Sequence, residues 1–313
     1  MKPPTGNSFS HGSRSFSDMA IRVAIGNPKG GVGKSTTAMM LAEGVALRFG
    51  ARVLVLDMDP QAMATKILIG QQALHEYRSQ DRGLSSLLNA WAKGRKADIS
   101  RHIVPASDII ELRDRSNDIG SVDIIPSDPE LLKDLGELQT IIGRVRRKQR
   151  VDALLATMFA EELSRIDRSY HLIIFDCPAG PVPLALTSFR LSNHVIVPTN
   201  LEQNSYSTLV DFWRLILSED LGLSERLRVH ILVTMYQSIN PVQRQMLDHV
   251  RAGAYELNAV YRAIPHSTAL QRAQMHPGTG AFRSAREKYE GAIDEVFALA
   301  DTMFDRLELE GAP

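Results

Sequence analysis

Pro28-Lys29-Gly30-Gly31-Val32-Gly33-Lys34-Ser35-Thr36-Thr37 is the stretch on which the fold turns. An apolar run, Ile21 to Ile25, precedes it and reads as a buried strand, and the residues after it read as a helix. Strand, glycine loop and helix in that order are the context a phosphate-binding loop requires. Glycines let the backbone turn successive N–H groups inward onto a phosphate, and the helix N-terminus adds the positive end of its dipole. Lys34 then brings a point charge to the β- and γ-phosphates of a nucleotide, and Ser35 a hydroxyl ligand for Mg2+. Gly30, Gly31, Val32, Gly33 and Thr36 complete the expected ATP-binding loop. Lys29 is a second lysine, more than one subunit needs to cradle a phosphate; its plain alternative is a solvated side chain at the loop edge.

Outward from the loop, Met39, Met40, Ala42, Val45, Ala46 and Phe49 recur at helical spacing and Gly50 stands where a helix C-cap is expected. Val53 to Leu56 reads as a second buried strand, ending in Asp57-Met58-Asp59-Pro60-Gln61. Carboxylates two residues apart leaving a strand face one side, the end where ligands bind in an open α/β sheet. Leu172-Ile173-Ile174-Phe175-Asp176 repeats the pattern, a strand with an acid at its carboxyl end placed to serve Mg2+, and Cys177 after it reads as small packing beside the site. Further strands are expected at 122–125, 194–197 and 229–233, and helices at 205–217, 241–252 and 285–309. A helix near Asp128 carries Leu131, Leu132, Leu135 and Leu138 on one face, and another spans 151–166. Continuous apolar strands alternating with helices predict a doubly wound, mostly parallel α/β sheet with helices on both faces, a P-loop NTPase.

Between 70 and 125 the periodicity is weak beyond a short helix around Leu84, Leu87, Leu88 and Trp91, so 20–313 reads as a single domain with a less regular insertion around 70–170. The densest basic run, Arg144 to Arg150, is either a solvated helix face or a phosphate-backbone contact. Lys+Arg and Asp+Glu each total 36, so no global field draws the chain to nucleic acid or anionic lipid. The single cysteine rules out an internal disulfide and argues against a CxxC metal site. No run approaches a membrane span, so stable membrane insertion is not expected. Residues 1–19 are polar and rich in Ser, Gly and Pro, and read as a disordered N-terminal arm.

Lys-Gly-Gly-Val-Gly-Lys-Ser-Thr, with Lys29 leading, resembles the deviant Walker A loop of the ParA/MinD superfamily, and the likeness to ParA/Soj-type partition ATPases runs further. Asp57 to Ala62 resembles that family's Walker A′ segment, Leu172 to Pro178 its Walker B, Val197 to Glu202 its next strand end, and Ile231 to Tyr236 with Ala263-Ile264-Pro265 its adenine-side elements. The resemblance implies that Lys29 crosses an ATP-bound homodimer to the partner protomer's phosphates, and that Lys29, Lys34 and Asp59 are the catalytic residues, Asp59 helping to place the attacking water. It also implies Ser35, Asp57 and Asp176 around Mg2+, Glu202 at the nucleotide across the dimer, and Met235 and Pro265 beside adenine. The implied activity is slow hydrolysis of ATP, stimulated by a ParB-like partner, in a protein that binds DNA without sequence preference and is cytoplasmic and nucleoid-associated. Arg244, Arg251, Arg262, Arg272, Arg283 and Arg286 are the candidate DNA-binding residues, although His266 and Ala269 stand where the family often has arginines and Gln237 replaces a frequent acid. The chain before Ile21 is too short for the helix-turn-helix domain of larger relatives.

Rival readings differ in particular residues. A MinD-like ATPase would end in a basic amphipathic helix, whereas the last helix here carries Glu287, Glu290, Asp294, Glu295, Asp301 and Asp305. An iron-sulfur reductase needs two cluster cysteines. A tyrosine kinase of the superfamily would carry a C-terminal tyrosine cluster, and the last tyrosine is Tyr289. A metabolic P-loop ligase shares the loop but not Lys29 with Asp57 to Gln61.

Overall fold

The computed structural model describes residues 19–112, 120–145, 150–202, 227–251, 263–275 and 281–307, with positions 211, 212, 214, 216 and 223. Residues 1–18 of the arm expected over 1–19, the basic residues 146–149, Arg262 and most of the helix expected over 205–217 lie outside them.

The N-terminal half runs β1 (Ile21–Ile25), α1 (Lys34–Phe49), β2 (Arg52–Asp57), α2 (Met63–Ser79), α3 (Leu84–Ala92), β3 (Val104–Ala106), β4 (Ser121–Ile125) and α4 (Leu131–Val145). It continues with α5 (Val151–Ser164), β5 (Leu172–Asp176), α6 (Pro183–Leu191), β6 (His194–Asn200), β7 (Arg228–Thr234), α7 (Pro241–Arg251), α8 (Thr268–Ala273), α9 (Ala285–Tyr289) and α10 (Ile293–Arg306). The seven strands form one sheet in the order β3-β4-β2-β5-β1-β6-β7, parallel throughout except for β3, which pairs antiparallel with β4 at the edge. Every residue of β4, β5 and β6 is buried, as continuous apolar strands covered on both faces should be. One face packs on α1 and α10, the other on α3, α5 and α6. The parallel register sets Asp176 beside Ile25 on one side and beside Asp57 on the other, so the acids and the loop leave the sheet at the same end.

Helix α1 begins from Gly33 at φ 87°, with Gly31 at φ 72°, left-handed backbone that a side chain would strain. A Cβ on Gly44 would sit 3.0 Å from the Val296 carbonyl and 3.1 Å from Ala300, so the absent side chain is what lets α1 press against α10. Leu47 and Phe49 border the same core, and Phe49 stacks on Phe304 with ring centroids 3.9 Å apart.

Four local expectations need correction. The 70–125 segment holds more regular structure than its periodicity suggested: α2 reaches Ser79, and β3 is a strand. Gly70 (φ 78°, ψ 164°) kinks α2 and shifts the phase of its apolar residues, and Gln71, Gln72 and Glu76 beyond the kink do not belong to a buried face. Leu132 is 61 % exposed, so the core-facing stripe of α4 passes through Leu131 and Leu135 without it. The regular helix starts at Leu131, three residues after Asp128, whose carboxylate accepts from the Glu130 N–H at 2.8 Å. The last helix is not continuous: Glu290, at φ 46°, breaks it into α9 and α10.

Candidate functional site

The loop is pinned from below by polar side chains. Asn27 donates through Nδ2 to the Pro198 carbonyl (2.7 Å) and accepts from the Lys29 N–H (2.8 Å), tying the loop to β6. The Thr234 hydroxyl donates to the Val32 carbonyl at 2.9 Å, tying it to β7. Lys34 is 8 % exposed, and its ammonium reaches back across the loop to the Lys29 carbonyl at 3.1 Å. The loop mouth is thus spanned by a cation held to the backbone by one neutral acceptor, a contact that a phosphate oxygen would outcompete.

Ser35 donates to Asp176 Oδ2 at 2.6 Å, and Asp176 Oδ1 is buried with no hydrogen-bond partner. Burial, reinforced by the neighbouring Asp57, pushes the Asp176 carboxyl well above its ordinary value. A desolvated carboxylate with a spare oxygen beside a hydroxyl is a donor set suited to a hard dication. No group of three or more His, Cys, Asp or Glu among the described residues is placed to hold a metal ion by itself. A cation here would take its remaining oxygens from phosphates and water, the way Mg2+ is usually held beside a nucleotide.

Asp57 is fully buried and anchored: Oδ2 accepts from the Thr65 N–H (2.8 Å) and hydroxyl (2.7 Å), and Oδ1 from the Asp59 N–H (3.1 Å). Burial raises its pKa to about 7 against the pull of the Thr65 bonds. Thr65 in turn accepts from the Ser127 N–H at 3.0 Å, so Asp57 fastens the start of α2 to the end of β4. Asp59, partly exposed, accepts from the Gln61 N–H at 2.9 Å and stands at the rim. Cys177 is buried and its thiol is pushed far up by desolvation, which leaves it inert packing.

Lys29 occupies the opposite lip. Its ammonium forms an ion pair with Glu202 of its own chain and lies 3.5 Å from Asn200 Oδ1. The side chains are 32 % and 59 % exposed, so this pair contributes at most about 1 kcal/mol.

Beyond Gly33 and Thr36 lies a cavity of about 70 Å³ that also has Met235 and Pro265 in its wall, so the expected adenine-side residues meet at the loop. Its shape comes from two segments joined by a parallel bridge: Tyr236 N–H donates to the Ile264 carbonyl and His266 N–H to the Tyr236 carbonyl, each at 3.0 Å, with Met235 held at φ 54°. His266, Gln271 and Gln274 complete the wall and were not anticipated, because they carry no motif and lie far along the chain. Ala269, the other departure from the arginine pattern, packs against the core.

The candidate DNA-binding arginines fare unequally. Arg244 and Arg251 on α7 and Arg286 on α9 are exposed. Arg272 is paired with Glu290 at 2.9 Å, and the Arg283 N–H donates to Glu287 at 2.8 Å, so carboxylates dilute that end of the patch.

Residues 20–228 match the AAA domain family AAA_31. The chromosome-partitioning ATPase Soj of Thermus thermophilus is 28% identical over 287 residues, covering 88% of this chain and 97% of that protein. Among solved structures, a plasmid partition protein of Borrelia burgdorferi bound to AMPPNP superimposes with a TM-score of 0.64 at 19% identity, covering 92% of this chain and 99% of that one. The cobyrinic acid a,c-diamide synthase of Mycobacterium smegmatis, with ADP and magnesium, gives a TM-score of 0.63 at 22% identity over 94% of this chain and 100% of that one, a likeness of fold alone. With the deviant loop, the paired strand-end acids and the Soj-like sequence in one chain, the protein belongs to the AAA_31 family of AAA domains, as a ParA/Soj-type partition ATPase.

Proposed function

We propose that the protein binds ATP and Mg2+, hydrolyses ATP slowly, and acts as a dimeric switch that engages DNA without sequence preference to position or segregate a cargo. The observation that carries this reading is the division of labour between the two loop lysines. Lys34 is buried over the phosphate cradle, while Lys29 sits at the lip on an exposed carboxylate that costs little to leave. A lysine stationed there suits a phosphate presented by a second copy of the chain. Mg2+ and the triphosphate, when bound, supply the charge that Asp176 Oδ1 and Lys34 would meet. In hydrolysis Asp59 orients water toward the γ-phosphorus, the bond to the β–γ bridging oxygen breaks, and ADP and phosphate leave. A ParB-like partner would accelerate that step and release DNA, with the protein cytoplasmic and nucleoid-associated; residues 20–313 would act as one ATPase domain.

DNA retention measured with ATP, ADP and no nucleotide across a salt series tests the reading. ATP-selective, steeply salt-dependent binding is expected, and Lys29→Ala should abolish the ATP-dependent dimer while leaving nucleotide binding by the monomer. Equal retention in all three states would overturn it. The pairing of Arg272 and the Arg283 backbone with carboxylates favours, as the second reading, a positioning ATPase related to the MinD type that acts on a non-DNA cargo.

A further inference from the structure

At the β3–β4 edge of the sheet, α3, the end of α2, the turn at Ile99–His102 and the start of α4 enclose an open polar groove of about 990 Å³. Strands β2 and β5 separate β4 from β1, so three strand spacings, roughly 14 Å, lie between β4 and the strand that leads into the phosphate loop. Its floor is built firmly. Arg82 donates to the carbonyls of Arg101 (3.0 Å) and Ile103 (2.5 Å) and lies over the Tyr77 ring, the Gly83 N–H donates to His102 Nδ1 (3.1 Å), and Leu84 N–H donates to the Pro126 carbonyl (2.8 Å). Gly94, at φ 63°, closes α3 and the Arg95 N–H donates back to the Ala90 carbonyl at 2.9 Å, which fixes the Lys93-to-Lys96 turn on the rim.

Eight Lys or Arg side chains and five carboxylates line this groove, and the two signs are not equally available. Asp128 and Asp134 are each 5 % exposed and occupied internally, one accepting from the Glu130 N–H and the other from Asn89 at 3.0 Å. Asp98 caps its own turn through Ser100, which holds its carboxyl below the ordinary value, and Glu130 is paired with Arg78. Lys93, Arg95, Lys96 and Lys133, all exposed, have no carboxylate partner among the described residues. At the foot of the groove, α3 begins without a side-chain cap, and Ser85, 6 % exposed, keeps a hydroxyl with no hydrogen-bond partner.

We infer that this groove docks an acidic peptide segment of a partner protein, with Lys93, Arg95, Lys96 and Lys133 receiving its carboxylates. Four of the five acids are already engaged and Asp81 stands exposed at the rim, so the unpaired cations suit carboxylates spaced along a peptide that can pass it. They suit a nucleic acid poorly, because its uniform phosphate charge would meet Asp81 and Asp98 at the rim and no Phe, Tyr or Trp lines the groove for bases to stack on. The inference does not depend on the nucleotide switch.

The test is fluorescence anisotropy with the full chain, without nucleotide and with ATP, using a labelled dodecapeptide of alternating Glu and Ser, the same peptide with Lys for Glu, and a random-sequence DNA duplex. The acidic peptide should bind in both nucleotide conditions, weaken as salt rises, and lose about tenfold or more on combining Lys93→Glu, Arg95→Glu and Lys96→Glu. Lys133→Glu on the opposite wall should weaken it separately, while duplex binding and nucleotide affinity stay unchanged in both variants. These four positions are exposed, so loss of fold will not mimic the result. Acidic peptide that fails to bind, or binds the charge-reversed protein equally well, overturns the inference. So does a loss confined to the duplex, which would make the groove a nucleic-acid site.

Discussion

Two clusters of buried charge flank α1, and they are finished differently. Behind the helix, Glu43 accepts from Ser107 (2.9 Å), from Lys288 through both oxygens (2.9 and 3.0 Å) and from the Tyr289 hydroxyl (2.5 Å). Lys288 also meets Asp108 at 2.7 Å, and the three ionic side chains are entirely buried. At the front, Asp57 and Asp176 are just as buried, yet one oxygen of Asp176 is unpartnered and Lys34 reaches no further than a backbone carbonyl. The rear cluster holds its own cation in ion pairs with both of its acids, although Asp108 Oδ2 is left without a hydrogen-bond partner. The front cluster is short of positive charge until something brings it. A buried network with its cation inside locks α1 to α9; one whose acids lack an ion pair is a site.

That contrast can be broken, most forcefully at the rear. Lys288→Met leaves Glu43 and Asp108 buried without their cation and should cost about 3–5 kcal/mol of stability in urea unfolding, with the affinity of the remaining folded protein for Mg-ATP unchanged. If stability holds, the rear cluster does not lock α1 to α9.

At the front the sign should reverse. Asp176→Asn keeps an acceptor for Ser35 and removes a desolvated charge, so nucleotide-free stability should stay level or rise by about 1 kcal/mol. Calorimetry should show Mg-dependent nucleotide affinity falling on the order of 10–100-fold. A strongly destabilised variant would make Asp176 structural, like Glu43.

pH sharpens the comparison further. Asp57 is raised from 3.8 to about 7 and Asp176 is raised well above 3.8, so the folded protein holds protons the unfolded chain has released. Nucleotide-free stability should therefore fall as pH climbs from about 4 to about 7. Saturating Mg-ATP supplies the missing charge and should flatten that slope, leaving the smaller share from Asp108, which is raised to about 6 mainly by burial. An identical slope with and without Mg-ATP would place the titrating carboxylates away from the nucleotide. The smallest effect is expected at the lip: Glu202→Gln should shift nucleotide-free stability by less than about 1 kcal/mol, because the Lys29 pair is exposed.

What could be read from the sequence was whatever one segment decides alone. Loop, first helix and strand-end acids follow from local order, since Gly31 and Gly33 supply backbone only glycine tolerates easily and apolar runs bounded by acids mark strand ends. The parallel sheet follows from strand and helix alternating. The sequence did not expose the phase break at Gly70, the strand at Val104–Ala106 or the exposure of Leu132, because each depends on what packs against the segment from elsewhere. Nor could it join Glu43 to Lys288 across 245 positions, bring His266 to the loop, or assemble the Lys93–Lys133 groove. Charge in a sequence has sign but no address: periodicity sorts residues into buried and exposed, while the pairing of buried charges is settled only where distant segments meet and water is gone.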